Sequence, residues 1–227
     1  MSNVERLKNV EELIDIDKID IGKIVIDNCK KDFWYFVNLM GMGMVEYCHE
    51  ARKLYDELLK ELETDQHPDP EIIPMDDFNR NLLACFLIYE ILFKDGHQTV
   101  YYVGKDKESA EKFLNTVFDF IQQNNFDVFM KRKCNEIYYD YNGSFIRVLP
   151  TPHNSTSAKT LFRGVSADIV IIDDMALNEY FKDICNGSAT TGRAKRIIAV
   201  PNSGELEVML KTMGTLIKLM NELYHTK

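Results

Sequence analysis

Paired cysteines and long apolar runs are both missing from this 227-residue sequence. Its 5 cysteines are scattered, without a C-x-x-C pair or histidines at metal-ligand spacing, which predicts reduced thiols packed as small apolar side chains. The longest apolar stretch, Leu82 to Phe93, is interrupted by Glu90 and is too short to span a bilayer. The acidic, amphipathic N-terminus does not have the form of a signal peptide. We therefore expect no disulfide scaffold, no membrane association and a cytoplasmic location.

Positive charge is also scarce, because 27 Lys and Arg face 36 Asp and Glu, giving a formal net charge of −9. This balance argues against a protein that grips nucleic acid over its whole surface, although it leaves room for a local basic strip. The length suits one α/β domain with an appendage, or two small subdomains. We expect residues 1–66 to form an N-terminal segment with a helix packed on the core, and residues 67–227 to form the α/β domain.

Apolar periodicity predicts helices and buried strands in alternation. The predicted helices cover residues 46–63, 80–94, 107–123, 176–185 and 205–224. The predicted strands are Ile72-Ile73, Gln98 to Gly104, Asp168 to Asp173 and Arg196 to Val200, with a hairpin of Ile137 to Tyr141 and Ser144 to Leu149. The hairpin turns at Asn142-Gly143, a strong turn signal. The Ile/Val/Asp alternations of residues 1–31 fit short strands or helical turns equally, and the aromatic cluster from Asp32 to Phe36 predicts a core anchor.

Buried strands that alternate with helices are typical of a mostly parallel sheet covered on both faces. Ligands of such sheets bind beyond the carboxyl ends of the strands. The residues that follow Ile73, Val103, Ile172 and Val200 are therefore candidates for a functional site.

The sharpest local pattern is the apolar strand Ile169 to Ile172, which ends in the adjacent acids Asp173 and Asp174. Nucleotide-hydrolysing folds place acids there, where one carboxylate binds Mg²⁺ and the next orients the attacking water. A solvated acidic turn after a strand is the alternative, because acids are common at turns.

The order of the motifs around these acids resembles the ATPase domain of the large terminase subunit of tailed bacteriophages. The resemblance covers residues 29–210 and rests on Cys29 to Phe36, Val100 to Gly104 with Lys107 to Glu111, Arg163-Gly164, Ile169 to Asp174, and Arg196 to Gly204. It implies a P-loop NTPase fold of the RecA/ASCE type with a mostly parallel sheet, helices on both faces and a small N-terminal helical subdomain.

The same resemblance implies site residues, cofactors and partners. If the protein is active, Asp173 would hold Mg²⁺, Asp174 would place the water, Arg163 would act as an arginine finger, and Pro201 and Asn202 would lie beside the nucleotide. The implied cofactors are ATP and Mg²⁺. The implied partners are the portal, other terminase chains and double-stranded DNA, in the cytoplasm of the infected bacterial host.

The phosphate-binding loop of that family, R-Q-x-G-K-[ST], is not present at its expected place. Phe78 stands at the glycine position, Asn79 at the lysine position and Arg80 at the hydroxyl position. A phosphate cradle needs glycine for the close approach of backbone N–H groups and lysine to neutralise the anion. The altered segment comprises Asp76, Asp77, Phe78, Asn79, Arg80 and Asn81.

Two further positions depart from the family pattern. Ala199 and Val200 precede Pro201, where the family has a threonine that couples the γ-phosphate to movement. No glutamine lies near His49 to Arg52, where the family places its adenine-side glutamine. We therefore expect ATP hydrolysis to be impaired or lost, and ATP and Mg²⁺ binding to be weak or absent.

Three interpretations remain open at this point. The first is a terminase-like protein with a degenerate phosphate loop that acts as a structural or regulatory subunit in DNA packaging. The second is an active packaging ATPase whose loop uses unusual residues, such as Arg80 in place of the lysine, or whose missing parts come from a neighbouring subunit. The third is a non-enzymatic interaction protein on a helicase-like fold. Large terminases continue into a nuclease domain, and no segment here supplies its acids, so the sequence is interpreted as a standalone domain or a fragment.

Two smaller motifs complete the sequence. Gly187 to Ala194 superficially resembles a phosphate loop, but it precedes a strand, so we interpret it as a loop between a helix and a strand. Short basic runs are candidates for DNA contact or, alternatively, solvated loop charges. The basic candidates are Lys131, Arg132, Lys133, Arg193, Lys195 and Arg196.

Overall fold

A computed structural model of the chain describes residues 21–41, 49–59, 70–74, 77–104, 106–173 and 180–201. The helices are α1 Ile21–Lys31, α2 Phe33–Leu39, α3 His49–Leu58, α4 Asp77–Phe93, α5 Lys107–Gln123, α6 Ser155–Thr160 and α7 Phe181–Thr190, with a 3₁₀ turn at Phe126–Val128. The strands are β1 Glu71–Ile72, β2 Thr99–Val103, β3 Met130–Lys133, β4 Glu136–Tyr139, β5 Phe145–Leu149, β6 Ile169–Asp173 and β7 Arg196–Val200.

All seven strands form one sheet in the order β1-β7-β6-β2-β5-β4-β3. The neighbours from β1 to β5 in that order are parallel, whereas β4 pairs antiparallel with both β5 and β3. Every residue of β2, β6 and β7 is buried, which explains why these strands are continuous apolar runs in the sequence. The expected α/β class with a mostly parallel sheet is confirmed.

Helices pack on both faces of this sheet. One core cluster joins Tyr102, Ile171 and Ile198 to the buried side chains of α4 and α5. A second cluster joins Val103 and Ile172, from the opposite face, to the buried side chains of α6, α7 and the turn after α6. Alternate residues of one strand thus enter different clusters, as the pleat of a strand requires.

The helices α1 to α3 share the first core cluster through aromatic side chains. Phe33 lies 6.1 Å from Tyr55, 6.2 Å from Phe86 and 5.2 Å from Tyr89 between ring centroids. Because Phe33 and Phe36 are buried, the predicted aromatic anchor is confirmed. The Ile24-to-Asp27 alternation is helical, since it lies within α1. The boundary predicted at residue 66 falls outside the described residues and stays a prediction.

Four predicted elements agree closely with the structure: β2, α5, β6 and β7. The hairpin is also confirmed, because β4 and β5 pair antiparallel around Gly143, whose φ is +74°. Asn142 stabilises the turn by accepting a 2.9 Å hydrogen bond from the Ser144 backbone N–H. The predicted helix of residues 205–224 lies outside the part of the chain that the structure describes.

Two predictions need correction. Residues 187–190 belong to α7, so only the end of the Gly187-to-Ala194 segment is a loop. The physical reason is close packing: a Cβ on Gly187 would lie 3.2 Å from the Lys159 carbonyl oxygen, so glycine here allows α7 to approach α6 rather than breaking the helix. Lys131-Arg132-Lys133, interpreted as a loop run, forms most of strand β3.

Candidate functional site at the carboxyl edge of the sheet

Four strand ends meet at one edge of the sheet. The register pairs Ile72 with Ala199, Asp173 with Val200, and Val103 with Ile172. The strands that carry the predicted site residues are therefore neighbours, and their carboxyl ends lie side by side. The expectation that these ends share one edge holds for the described residues.

Asp173 is the best-defined side chain at this edge. It is 6% exposed, and its Oδ2 accepts a 2.6 Å hydrogen bond from the Tyr102 hydroxyl on the neighbouring strand. The Tyr102 ring is stacked on Phe113 of α5 at 4.1 Å between centroids and an interplanar angle of 8°, which fixes the hydroxyl in place. The buried carboxylate is thus held by a strong hydrogen-bond donor. Asp174 lies outside the described residues.

The turn from β2 into α5 lies next to Asp173. Asp106 caps α5 by accepting a 2.8 Å hydrogen bond from the Ser109 N–H, and the Ser109 hydroxyl completes the capping box. A Cβ on Gly104 would lie 2.8 Å from the Ala110 Cβ, so glycine is required for this close approach. Ser109 and Ala110, which carry part of the family resemblance, therefore serve in capping and packing.

The segment at the phosphate-loop position is a short connection into a helix. β1 ends at Ile72 and α4 begins at Asp77, with four residues between them, of which Met75 and Asp76 lie outside the described residues. Residues 77–81 belong to the first turns of α4. Residues 73–81, IPMDDFNRN, include no glycine, lysine, serine or threonine. This sequence supplies none of the residue types on which a phosphate-binding loop depends.

The side chains that follow in α4 are half-buried. Asn79, Arg80 and Asn81 all have intermediate exposure. The Tyr55 hydroxyl of α3 donates a 3.4 Å hydrogen bond to the Asn79 carbonyl oxygen, which ties the first turn of α4 to the N-terminal helices. At the end of β7, Ala199, Val200 and Pro201 are buried. Asn202 lies outside the described residues.

Arg163 is not brought beside Asp173. It is exposed in the turn after α6, where its N–H donates a 3.0 Å hydrogen bond to the Thr160 carbonyl oxygen. The chain continues from this turn to the amino end of β6, whereas Asp173 is the last residue of that strand, about 13 Å further along. An arginine-finger role for Arg163 within its own chain has no support in this placement and stays a prediction.

Two of the basic candidates form ion pairs along the opposite, amino edge of the sheet. Arg196 is 8% exposed, and its Nη1 lies 2.8 Å and 3.0 Å from the two carboxylate oxygens of Glu71. Lys195 Nζ lies 2.7 Å from Asp168 Oδ1. Because its guanidinium is buried in this ion pair, the placement of Arg196 gives no support to a DNA contact, which stays a prediction. Arg193 is exposed and has a left-handed backbone, with φ of +51°.

The remaining basic candidates lie on β3. Lys131 and Lys133 are exposed, and Lys131 Nζ donates a 2.6 Å hydrogen bond to the Asp127 carbonyl oxygen. Arg132 contacts Asn115 and lies over the Phe118 ring at 5.9 Å, on the face that packs against α5. The alternation along β3 places Arg132 on the face that packs against α5 and the two lysines on the opposite face.

Burial and hydrogen bonding shift the pKa values of the amino-edge carboxyls in opposite directions. Burial by itself would raise the pKa of Asp168, but hydrogen bonds from Lys195 and from the Thr99 N–H and hydroxyl outweigh it and hold the pKa below its usual value. Burial raises the pKa of Glu71, and the Arg196 charge opposes this only in part. Burial also raises the pKa of Glu90 in α4.

Metal-binding clusters and membrane-spanning helices are both absent from the described residues. These residues include no group of three or more His, Cys, Asp or Glu side chains arranged to hold a metal ion. Within the same part of the chain, none of the helices combines the length and apolarity that a membrane crossing needs.

Comparisons with known proteins give matches among solved structures only. No family model matches the chain, and no curated protein matches its sequence. The large terminase of bacteriophage HK97 matches with a TM-score of 0.44 and 12% identity, over 59% of this chain and 29% of that chain. The large terminase of a thermophilic bacteriophage, in complex with ADP, matches with a TM-score of 0.45 and 11% identity, over 67% of this chain and 38% of that chain.

The ATPase domain of the Thermus phage P74-26 large terminase matches with a TM-score of 0.40 and 14% identity, over 58% of this chain and 59% of that chain. These structures come from the family that the sequence resembles. The chain spans about 29% to 59% of their lengths, and the identities are too low to transfer an activity.

Proposed function

We propose that this protein is a terminase-like, P-loop-fold subunit of a phage DNA-packaging system that no longer hydrolyses ATP and acts as a structural or regulatory partner. The strand order and the ordered motifs support the fold. The side chains at the carboxyl edge support the loss of catalysis.

The observation that carries the proposal is the segment between β1 and α4. A P-loop of the form G-x-x-x-x-G-K-[ST] surrounds the phosphates with backbone N–H groups and adds a lysine and a metal-binding hydroxyl. Here four residues separate Ile72 from Asp77, and the first helical residue is an acid. The sequence of this segment includes Asp76 and Asp77, and negative charge beside a phosphate site repels a triphosphate at short range.

The residues present do not fit ATP and Mg²⁺. Asp173 is the acid that corresponds to the metal-binding position, but it is buried and held by the Tyr102 hydroxyl. The strand next to it ends in Ala199-Val200-Pro201, without the hydroxyl by which the family couples hydrolysis to movement. Both departures adjoin the altered loop along one sheet edge, because β7 lies between β1 and β6.

The proposed setting is the cytoplasm of the infected host, with the portal and active terminase chains as partners. The protein would contribute to assembly through its surface, since phosphoryl transfer depends on a positioned phosphate loop, and residues 73–81 include no glycine, lysine, serine or threonine. Double-stranded DNA is a further proposed partner, through Lys131, Lys133 and Arg193, which are exposed.

Isothermal titration calorimetry with ATP and Mg²⁺ tests the proposal. We expect no heat of binding at micromolar concentrations, and no phosphate release in a coupled assay. Pull-down from infected cells with the tagged chain is expected to recover the portal or another terminase chain.

Two outcomes would overturn the proposal. Micromolar ATP binding that is lost in Asp173→Asn, with the fold retained by circular dichroism, would favour an active ATPase with a non-standard loop. In that case Arg80→Ala should abolish hydrolysis, because Arg80 would replace the lysine. Recovery of neither portal, DNA nor terminase would remove the packaging context and favour an unrelated interaction protein.

A further inference from the structure

One face of the outer sheet, formed by β3, β4 and β5, presents two rows of side chains. The register places Phe145 opposite Tyr138 and Tyr138 opposite Lys131. It likewise places Arg147 opposite Glu136 and Glu136 opposite Lys133. Residues directly opposite one another in paired strands project to the same face. We call the surface formed by Lys131, Lys133, Glu136, Tyr138, Phe145 and Arg147 the open face.

Among the described residues, the helices on this side of the sheet cover only its other half. The cluster that packs α6 and α7 on the sheet includes Tyr101, Val170 and Ile197, and it reaches Phe145 and Leu149 at its margin. The residues of the open face on β3 and β4 are exposed or half-exposed and belong to neither core cluster. On the reverse side of the same strands, Met130, Ile137 and Ile146 are fully buried. This part of the sheet thus has one buried face and one face exposed to solvent.

The open face combines aromatic surface with positive charge. The Arg147 guanidinium carbon lies 4.6 Å from the Phe145 ring centroid, and Arg147 Nη2 lies 2.6 Å from Glu136 Oε2. The Arg147 side chain is 38% exposed, so part of the guanidinium faces solvent while the ring and the carboxylate fix its position. The open face carries three positive side chains, Lys131, Lys133 and Arg147, and one negative side chain, Glu136. Its formal charge is therefore +2, whereas that of the whole chain is −9.

We propose that the open face binds single-stranded nucleic acid. Tyr138 and the Arg147–Phe145 pair would stack on bases, since aromatic rings and guanidinium planes both stack on nucleobases. Lys131 and Lys133 would contact the backbone phosphates at the outer edge of the sheet. A single strand fits these side chains better than a duplex, because only unpaired bases expose their ring faces. This inference is independent of ATP binding, but it shares Lys131 and Lys133 with the proposed contact to double-stranded DNA, and comparison with a duplex separates the two.

Fluorescence anisotropy with a labelled oligothymidine of about 15 nucleotides tests the proposal, with a duplex of the same length as comparison. Tyr138→Ala should weaken single-strand binding by about 10-fold or more, and Tyr138→Phe should retain it, because the ring is what stacks. Lys131→Gln with Lys133→Gln should lower the slope of log affinity against log salt by about 1.4. Tyr141→Ala is the matched control, since Tyr141 is an 88% exposed tyrosine that follows β4 and lies outside the open face.

Three results would each overturn the proposal. One is the absence of measurable binding to the oligothymidine at low salt. Another is duplex binding as tight as single-strand binding, which would leave only phosphate contacts. The third is equal affinity for wild type, Tyr138→Ala and Tyr141→Ala. Thermal unfolding of each variant, with an unchanged midpoint, separates a lost contact from a lost fold.

Discussion

The Tyr102 hydroxyl lies 2.6 Å from Asp173 Oδ2 and joins the two central strands β2 and β6 near their carboxyl ends. Because the Tyr102 ring is stacked on Phe113, the same side chain also connects this edge to α5. A carboxylate held in this way is an element of the fold as well as a candidate site residue.

Tyr102→Phe should therefore destabilise the protein. The change leaves the stacked ring but removes the hydroxyl donor from a buried carboxylate, at a cost of about 1–3 kcal/mol in the free energy of unfolding. Urea unfolding followed by circular dichroism measures this. Tyr141→Phe is the control and should leave stability unchanged, since Tyr141 is 88% exposed. Equal stability of wild type and Tyr102→Phe would contradict the structural role.

The buried pair of Arg196 and Glu71 gives a second prediction. Arg196→Met should lower the free energy of unfolding by about 3 kcal/mol, because it leaves the Glu71 carboxylate without its guanidinium partner. The exposed pair of Lys107 and Glu111 on α5 is the comparison, and Lys107→Met should have no measurable effect. Chemical denaturation of both variants at pH 7 tests the contrast, and similar losses for the two would contradict it.

Acid unfolding should depend on Asp168. Its pKa in the folded state is lowered, so its contribution to stability is present above the ordinary pKa of an aspartate and is lost as the pH falls through the folded pKa. Asp168→Asn should be less stable than wild type at pH 7, and the difference should shrink as the pH falls below about 4. Denaturation series between pH 7 and pH 3 measure the convergence. A difference that stays constant over this range would show that Asp168 does not contribute through its charge.

The pH dependence of stability that Glu90 contributes should have the opposite sign to that of Asp168. Burial raises its pKa, so the charged form opposes folding and stability is lost as the pH rises through the folded pKa. Glu90→Gln should therefore be more stable than wild type at pH 7, and the gain should disappear in acid, where Glu90 is protonated. Thermal unfolding at pH 7 and pH 4 tests the sign. A variant that is less stable at pH 7 would indicate that Glu90 stabilises the fold through Lys94 or Arg196 instead.

Gly104→Ala should disturb the turn between β2 and α5. The new Cβ would lie 2.8 Å from the Ala110 Cβ and 3.0 Å from the backbone at Asp106 and Ala110, so the helix must shift. We expect a loss of about 1–3 kcal/mol, in the range of overpacking substitutions. Adding Ala110→Gly removes the shortest contact and should restore part of this loss. If the double variant were no more stable than Gly104→Ala, the contact with the Ala110 Cβ would not be the source of the strain.

The sequence predicted the fold best where an element has a regular apolar pattern. β6 and β7 are runs of aliphatic residues buried on both faces, and α5 has a regular apolar stripe after a capping aspartate. β3 escaped prediction because Lys-Arg-Lys has no apolar alternation, and only the pairing with β4 makes it a strand. Gly187 was misleading because a glycine in sequence suggests the end of a helix, whereas here it allows two helices to pack closely.

The candidate site was predictable in outline only. An acid pair after a buried strand identified Asp173 and the edge on which it lies. Its partner Tyr102 stands 71 residues earlier, and Glu71 and Arg196 stand 125 residues apart, so no local pattern connects them. Such pairings arise from the order of the strands, which places distant segments side by side.

Along the amino edge of the sheet, polar contacts connect neighbouring strands. Glu71 holds Arg196, Asp168 accepts hydrogen bonds from Thr99, and the Ser144 hydroxyl accepts one from the Gln98 N–H. Each of these contacts lies at the end of the sheet away from Asp173. A substitution at the carboxyl edge therefore leaves these register-setting contacts in place, even where it lowers stability, as expected for Tyr102→Phe.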